Sequence, residues 1–193
     1  GFTGSIHFDA IAAAVGEALT RGDTGYPHGT AYAEAFAAMA ATRWAWELDT
    51  AAQARRAGDV MNSILAVLEA WTDPGDAVVI NPPVYPPFRQ VVSGYRRRIT
   101  EAPLAASGRL DLTTLEAAFS GPDRPRAYLL CSPHNPTGVV HTAAELAAVM
   151  ELAARYDVHV VVDEIHAPLV DPGTTFVPLL TVPGGERAVS VTS

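Results

Sequence analysis

From Gly58 onward, short apolar runs alternate with helical stretches, and nothing else in the chain narrows its fold as much. Ala77 to Ile80, Ala127 to Cys131 and His159 to Asp163 are brief and almost wholly apolar. Such runs suit strands covered on both faces, the condition of a parallel sheet held between helices. Ile99 to Glu101 and Ala188 to Val191 complete the expected strands. Val60 to Trp71, Leu112 to Phe119 and Glu145 to Tyr156 carry helical patterning between them, and the rigid run Pro82-Pro83-Val84-Tyr85-Pro86-Pro87 leads into a further helix. This alternation predicts an α/β protein of three layers, αβα, with a mainly parallel sheet.

Upstream the pattern is helical. Phe8 to Arg21 sets Ile11, Val15, Ala18 and Leu19 on one face, and Gly22 is a natural stop. Gly25-Tyr26-Pro27-His28-Gly29 reads as an ordered turn, and Thr30 is placed to cap a second helix reaching about Trp46. The expected organisation is a helical segment over 1–50 and a sheet-bearing region over 51–193, with no internal repeat or low-complexity linker.

A formal net charge of -8 sets long-range electrostatics against nucleic acid and anionic membrane surfaces. The one basic cluster, Arg96-Arg97-Arg98, lacks interleaved aromatic residues and reads as a solvated strand end. Hydrophobic residues make up 49% and charged residues 18%, a globular balance with enough apolar side chains for one sizeable core. No apolar run is long enough to span a bilayer, and Gly1-Phe2-Thr3-Gly4-Ser5 has neither the basic start nor the apolar stretch of a signal peptide. The single cysteine, Cys131, rules out an internal disulfide, so a soluble cytoplasmic protein is expected.

Doubly wound sheets gather functional groups where strands end at their carboxyl edge. The apolar strand through Val162 ends in Asp163-Glu164-Ile165-His166, which puts a carboxylate at the mouth of a buried sheet, where it is costly without a cationic partner. Ser132-Pro133-His134-Asn135-Pro136-Thr137-Gly138 follows another strand, and its prolines and glycine aim the Asn135 amide toward an anionic oxygen. Tyr85, held between prolines, suits stacking on a flat ligand. Gly58-Asp59-Val60-Met61 opens a helix whose first amides can hold an anion; the negative charge of Asp59 repels a phosphate there unless its side chain turns to cap its own helix. A carboxylate for a ring nitrogen, an amide for a phenolate, an aromatic face and a helix N-terminus for phosphate together describe pyridoxal phosphate.

Each residue also has a plainer reading. Asp163 alone is a strand-end cap or ion-pair partner, His166 a packed histidine, Tyr85 a half-buried aromatic and Tyr26 a turn residue. Trp44, Trp46 and Trp71 read as packing. His134, His141, His159 and His166 lack the spacing of a zinc site, so no metal is expected. Cys131 has no identified base and reads as a small buried strand residue.

The proline-rich Tyr85 loop, the Asn135 loop and Val162-Asp163-Glu164-Ile165-His166-Ala167 resemble class I/II aminotransferase motifs, in the branch containing PatB/MalY-type cystathionine beta-lyases. The Asp-Glu-Ile-His form points to that branch. The resemblance covers nearly the whole chain. It implies fold type I, with 51–193 as part of the large cofactor-binding domain and the small C-terminal domain absent. By the same resemblance Asp163 pairs with the pyridinium nitrogen and Asn135 bonds the ring's 3-oxygen; His166 is counted among the cofactor-binding residues, behind those that touch the ring. Tyr85 stacks on the ring, and the Val60 and Met61 amides and the Ser193 hydroxyl hold the phosphate. Tyr26 reaches the cofactor of a neighbouring subunit, which implies a homodimer.

All thirteen basic side chains are arginine, so the lysine that carries the cofactor in this family is expected just after Ser193 and no catalytic residue is assigned within the chain. The activity implied is that of a pyridoxal-phosphate enzyme on amino-acid substrates, with carbon-sulfur β-lysis ahead of transamination. A binding module of the same fold, working without the lysine, is the reading from another class.

Overall fold

The computed structural model describes residues 8–26 and 29–193; Pro27 and His28 of the expected turn lie outside the described residues. Two helices come first, α1 (Phe8–Thr20) and α2 (Ala31–Trp44), then a single turn, α3 (Thr50–Gln53), that the sequence pattern does not announce. The alternating region follows as α4 (Val60–Trp71), β1 (Ala77–Ile80), α5 (Pro86–Gly94), β2 (Arg98–Glu101), α6 (Leu112–Ser120), β3 (Ala127–Cys131), α7 (Ala143–Tyr156), β4 (His159–Asp163) and β5 (Val189–Val191). All neighbouring strands pair in parallel in the order β2-β1-β3-β4-β5.

Successive side chains of each strand point to opposite faces, so each strand feeds two cores. Val78, Ile80, Leu129, Cys131 and Val161 pack against Ile64 and Leu68 of α4 and Phe88 and Val92 of α5. Val79, Tyr128, Leu130, Val160 and Val162 pack against Leu115 and Phe119 of α6 and Leu146, Val149 and Met150 of α7. That double coverage is why the strands read as continuous apolar runs, and it makes the three layers. Helices α3, α4, α6 and α7 start where side chains supply acceptors for their first amides. Asp111 takes the Thr113 and Thr114 amides of α6 (2.9 and 3.2 Å), and Thr142 and Glu145 cap α7 reciprocally. Glu145 also receives the Arg109 guanidinium, and the bond holds its carboxyl down at about 2.

Thr30 occupies the position before α2 but makes no capping bond; its hydroxyl bonds the Glu34 carboxylate instead. Helix α2 stops at Trp44 rather than Trp46. Ala45 takes a left-handed conformation (φ 52°), its amide bonds the Ala41 carbonyl, and the turn packs Trp44 and Trp46 against Phe36, each at 6.1 Å. Trp44 also meets Phe176 edge-on at 5.0 Å, and Arg43 donates to the Pro168 carbonyl (3.0 Å), tying α2 to the segment after β4. The apolar stripe of α1 forms as the periodicity predicts, yet Ile11, Val15 and Leu19 are exposed.

Candidate functional site

Strand β1 is followed outward to β2, whereas β3, β4 and β5 lie on its other side, so the direction of winding reverses between β1 and β3. Loops leaving the carboxyl ends of two strands at such a point diverge and leave a crevice between them. A cavity of about 180 Å³ lies there. Its walls are Val60 and Met61 from the start of α4, Tyr85 from the loop after β1, Cys131 and Asn135 from the end of β3, and Asp163, Ile165 and His166 from the end of β4.

Six residues expected to face a cofactor, Val60, Met61, Tyr85, Asn135, Asp163 and His166, therefore share one cavity. Tyr26 is almost fully exposed, and Ser193 follows β5; neither lines it. The Asp59 carboxylate caps its own helix, accepting the Asn62 amide at 2.8 Å and its side-chain amide at 2.7 Å, which is the condition under which its charge does not oppose a phosphate, and it does not line the cavity. The first-turn amides of Val60 and Met61 have no acceptor within their own helix and are available to an anion. Tyr85 is 37% exposed, meets Phe88 in a T-shaped contact at 6.0 Å and lines the cavity. Among the described residues the Asn135 side-chain amide has no partner, while its backbone amide bonds the Cys131 sulfur (3.4 Å).

Asp163 is buried, and its carboxylate accepts only the Ile165 amide, at 3.0 Å. Burial pushes its pKa up; that amide and the nearby His166 ring draw it back down. No arginine reaches it, so among the described residues a buried carboxylate faces the cavity without an ion pair. This is a setting for a cationic group on a bound ligand.

Cys131 and Ile165 are the cavity residues that motif reading left out. The register pairs Cys131 with Asp163, so two groups at one level of adjacent strands face the same way; strand lengths alone carried that signal. Burial pushes the Cys131 thiol up to about 12, and it donates to the Pro133 carbonyl (3.4 Å), so it is wall rather than nucleophile. A larger surface cleft of about 250 Å³ lies between α6 and α7. Its charged groups satisfy one another, since Arg155 pairs with Glu116 (2.9 Å) and Glu151 (3.0 Å). No cluster of metal-ligating side chains occurs among the described residues, and no helix among them is long and apolar enough to cross a membrane.

Fold and site together define an α/β protein with a small-molecule cavity at the switch point of a parallel sheet. Residues 3–193 match the model of the aminotransferase class I and II family, and the chain belongs to that family. It is 50% identical over 189 residues to a Mycobacterium leprae protein named "Putative cystathionine beta-lyase", covering 95% of this chain and 47% of that one. Cystalysin from Treponema denticola, solved with a pyridoxal 5'-phosphate cofactor, superposes with a TM-score of 0.79 at 28% identity, over 88% of this chain and 44% of that one. N-succinyldiaminopimelate aminotransferase from Mycobacterium tuberculosis superposes at 0.84 with 29% identity, over 94% and 49%. The chain spans about half the length of the curated relatives it matches.

Proposed function

We propose that this chain holds pyridoxal 5'-phosphate and serves an enzyme that breaks a carbon-sulfur bond at the β-carbon of an amino acid such as cystathionine. The observation that carries the reading is the buried Asp163 carboxylate, which makes no ion pair among the described residues, in one cavity with Asn135, Tyr85 and the start of α4. When bound, the cofactor supplies an electron sink for a carbanion formed at the substrate's α-carbon.

The residues lining the cavity have tasks that their surroundings support, and Ser193 and Tyr26 have tasks that the family resemblance implies. Asp163, kept from water, would offer a carboxylate to the protonated ring nitrogen, and the His166 ring lies beside that carboxylate and lowers its pKa. Asn135 donates its free amide to the ring's 3-oxygen. Tyr85 covers one ring face, and Val60, Met61 and Ser193 take the phosphate. The apolar wall of Val60, Cys131 and Ile165 excludes water from the reacting face. Tyr26, far exposed on one subunit, reaches the cofactor of a second copy in a cytoplasmic homodimer.

Fifty per cent identity to a protein named as a lyase, against 29% to an aminotransferase, favours lysis. Transamination is the alternative that the family model keeps in play. The complete gene product, loaded with cofactor, is to be incubated with cystathionine and, separately, with an amino acid plus 2-oxoglutarate. Pyruvate and thiol release from the first without amino transfer in the second is expected. Amino transfer alone would replace lysis by transamination.

A further inference from the structure

His134 precedes Asn135 and belongs to no task above, yet it is among the largest fully buried side chains of the protein. Its own turn is closed by the backbone: the His134 amide bonds the Val139 carbonyl (2.8 Å) and the Gly138 amide bonds the His134 carbonyl (2.7 Å). The ring leaves that turn and meets the Pro83 carbonyl through Nε2 at 2.9 Å. Pro83 stands two residues before Tyr85 in the loop after β1. A single side chain therefore joins the two loops that carry Tyr85 and Asn135.

The seam it crosses is the one between β1 and β3. Their ladder registers only Val78 with Ala127 and Val79 with Tyr128, whereas β3 and β4 register over five pairs. Above the ladder the seam is held by side chains. Tyr128 donates its hydroxyl to Asn81 Oδ1 (2.5 Å), whose amide bonds the Ala102 carbonyl (2.9 Å), and His134 reaches Pro83 higher still.

A carbonyl can only accept, so the bond to Pro83 requires a hydrogen on Nε2. Burial lowers the pKa of His134, which keeps the ring neutral and leaves Nδ1 without its hydrogen. Nδ1 has no partner among the described residues, and the edge of the His141 ring lies 6.3 Å away between centroids. His141, whose ring nitrogens have no partner among the described residues, is lowered to about 4 by burial and is neutral too. Among the described residues the Pro83 contact is the one that meets hydrogen-bond geometry for the His134 ring.

We propose that His134 is a positioning residue, a latch that fixes the spacing of the Tyr85 and Asn135 loops across the β1/β3 seam and so sets the affinity of the cavity for pyridoxal phosphate. The proposal rests on the functional reading above. Without the latch the seam is held by the short ladder and the Tyr128–Asn81 bond below it, and the Tyr85 ring and the Asn135 amide are no longer kept at fixed spacing.

The test is equilibrium titration of the cofactor-free complete gene product with pyridoxal phosphate, followed by its visible absorbance, with thermal melting alongside. In His134→Gln an amide hydrogen stands near the place of Nε2; in His134→Asn it is too short to reach Pro83, and in His134→Leu it is gone. Loss of one such bond is expected to weaken cofactor binding about fivefold in the Asn and Leu variants, with Gln staying within about twofold of the natural protein. His141→Asn, which removes a buried ring from the same place without cutting a loop-to-loop bond, is expected to leave affinity within about twofold even if it lowers the melting temperature. Equal weakening by Gln and Asn, or by His134→Asn and His141→Asn, would overturn the latch. So would unchanged affinity in His134→Asn. If the natural protein itself binds no pyridoxal phosphate, the functional reading falls and the latch falls with it.

Discussion

Asp163 and Glu164 leave the end of β4 on opposite sides of the sheet, and the two sides use a buried carboxyl group differently. Glu164 faces the segment after β4, where Oε1 accepts the Leu179 amide (2.8 Å) and Oε2 accepts the Ser190 hydroxyl (2.6 Å). Asp163 faces the cavity and accepts a single amide. Both are buried, and burial raises both, Glu164 to about 7. Burial therefore does not separate a carboxyl that clamps the fold from one proposed to meet a ligand; engagement does. A group with both oxygens bonded clamps the fold, and one left half-bonded toward a cavity keeps its capacity for a ligand.

Asp163→Asn breaks this comparison if it is wrong. The amide keeps the bond from Ile165 but offers no charge to a ring nitrogen, so kcat/KM is expected to fall about a thousandfold, roughly 4 kcal/mol, in assays of the complete gene product. The same change should raise the melting temperature of the cofactor-free protein at neutral pH. A carboxyl whose pKa is raised by folding adds stability below its unfolded pKa and loses it as pH rises through the folded value, and asparagine has no such loss. Spared activity with a lowered melting temperature would make Asp163 a clamp like its neighbour.

Glu164→Gln tests the other side. A glutamine can accept the Leu179 amide and donate to Ser190, so the clamp survives while ionisation is removed. The natural protein should lose stability between about pH 5 and pH 8, as Glu164 is forced to ionise above its raised pKa of about 7, and the variant should lose roughly 2 kcal/mol less over that window. Denaturant midpoints at both pH values measure this. Parallel pH profiles for the two proteins would place the raised carboxyl elsewhere.

Much of this arrangement was legible in the residues themselves. Val158 to Asp163 could only be a strand covered twice, because no one-sided pattern leaves so many β-branched residues in a row. The loop prolines around Tyr85 and the cap at Asp59 announced where α5 and α4 begin. What stayed hidden depends on distance along the chain. Glu164 finds its partners 15 and 26 residues downstream, and His134 finds Pro83 51 residues back, contacts that no local pattern encodes. The stripe on α1 shows a related limit, since periodicity identifies the apolar face of a helix but not what covers it.

The smallest effect is expected at Ser190, and it sharpens the comparison most finely. Its hydroxyl favours the charged form of Glu164, so Ser190→Ala removes one of the two bonds that oppose burial. The folded pKa of Glu164 then rises further above its unfolded value, and the stability lost with rising pH grows. The variant should be about 1 kcal/mol less stable than the natural protein at pH 8, with little difference at pH 5, where Glu164 is largely protonated in the folded state. In the Glu164→Gln background the pH dependence of that cost should vanish, because no charge remains for the hydroxyl to favour. Activity should stay within about twofold in the single variant, since Ser190 bonds the carboxyl on the side of the sheet away from the cavity. A cost that is the same at both pH values would mean that the hydroxyl packs rather than clamps, and that the engagement of Glu164 rests on the Leu179 amide alone.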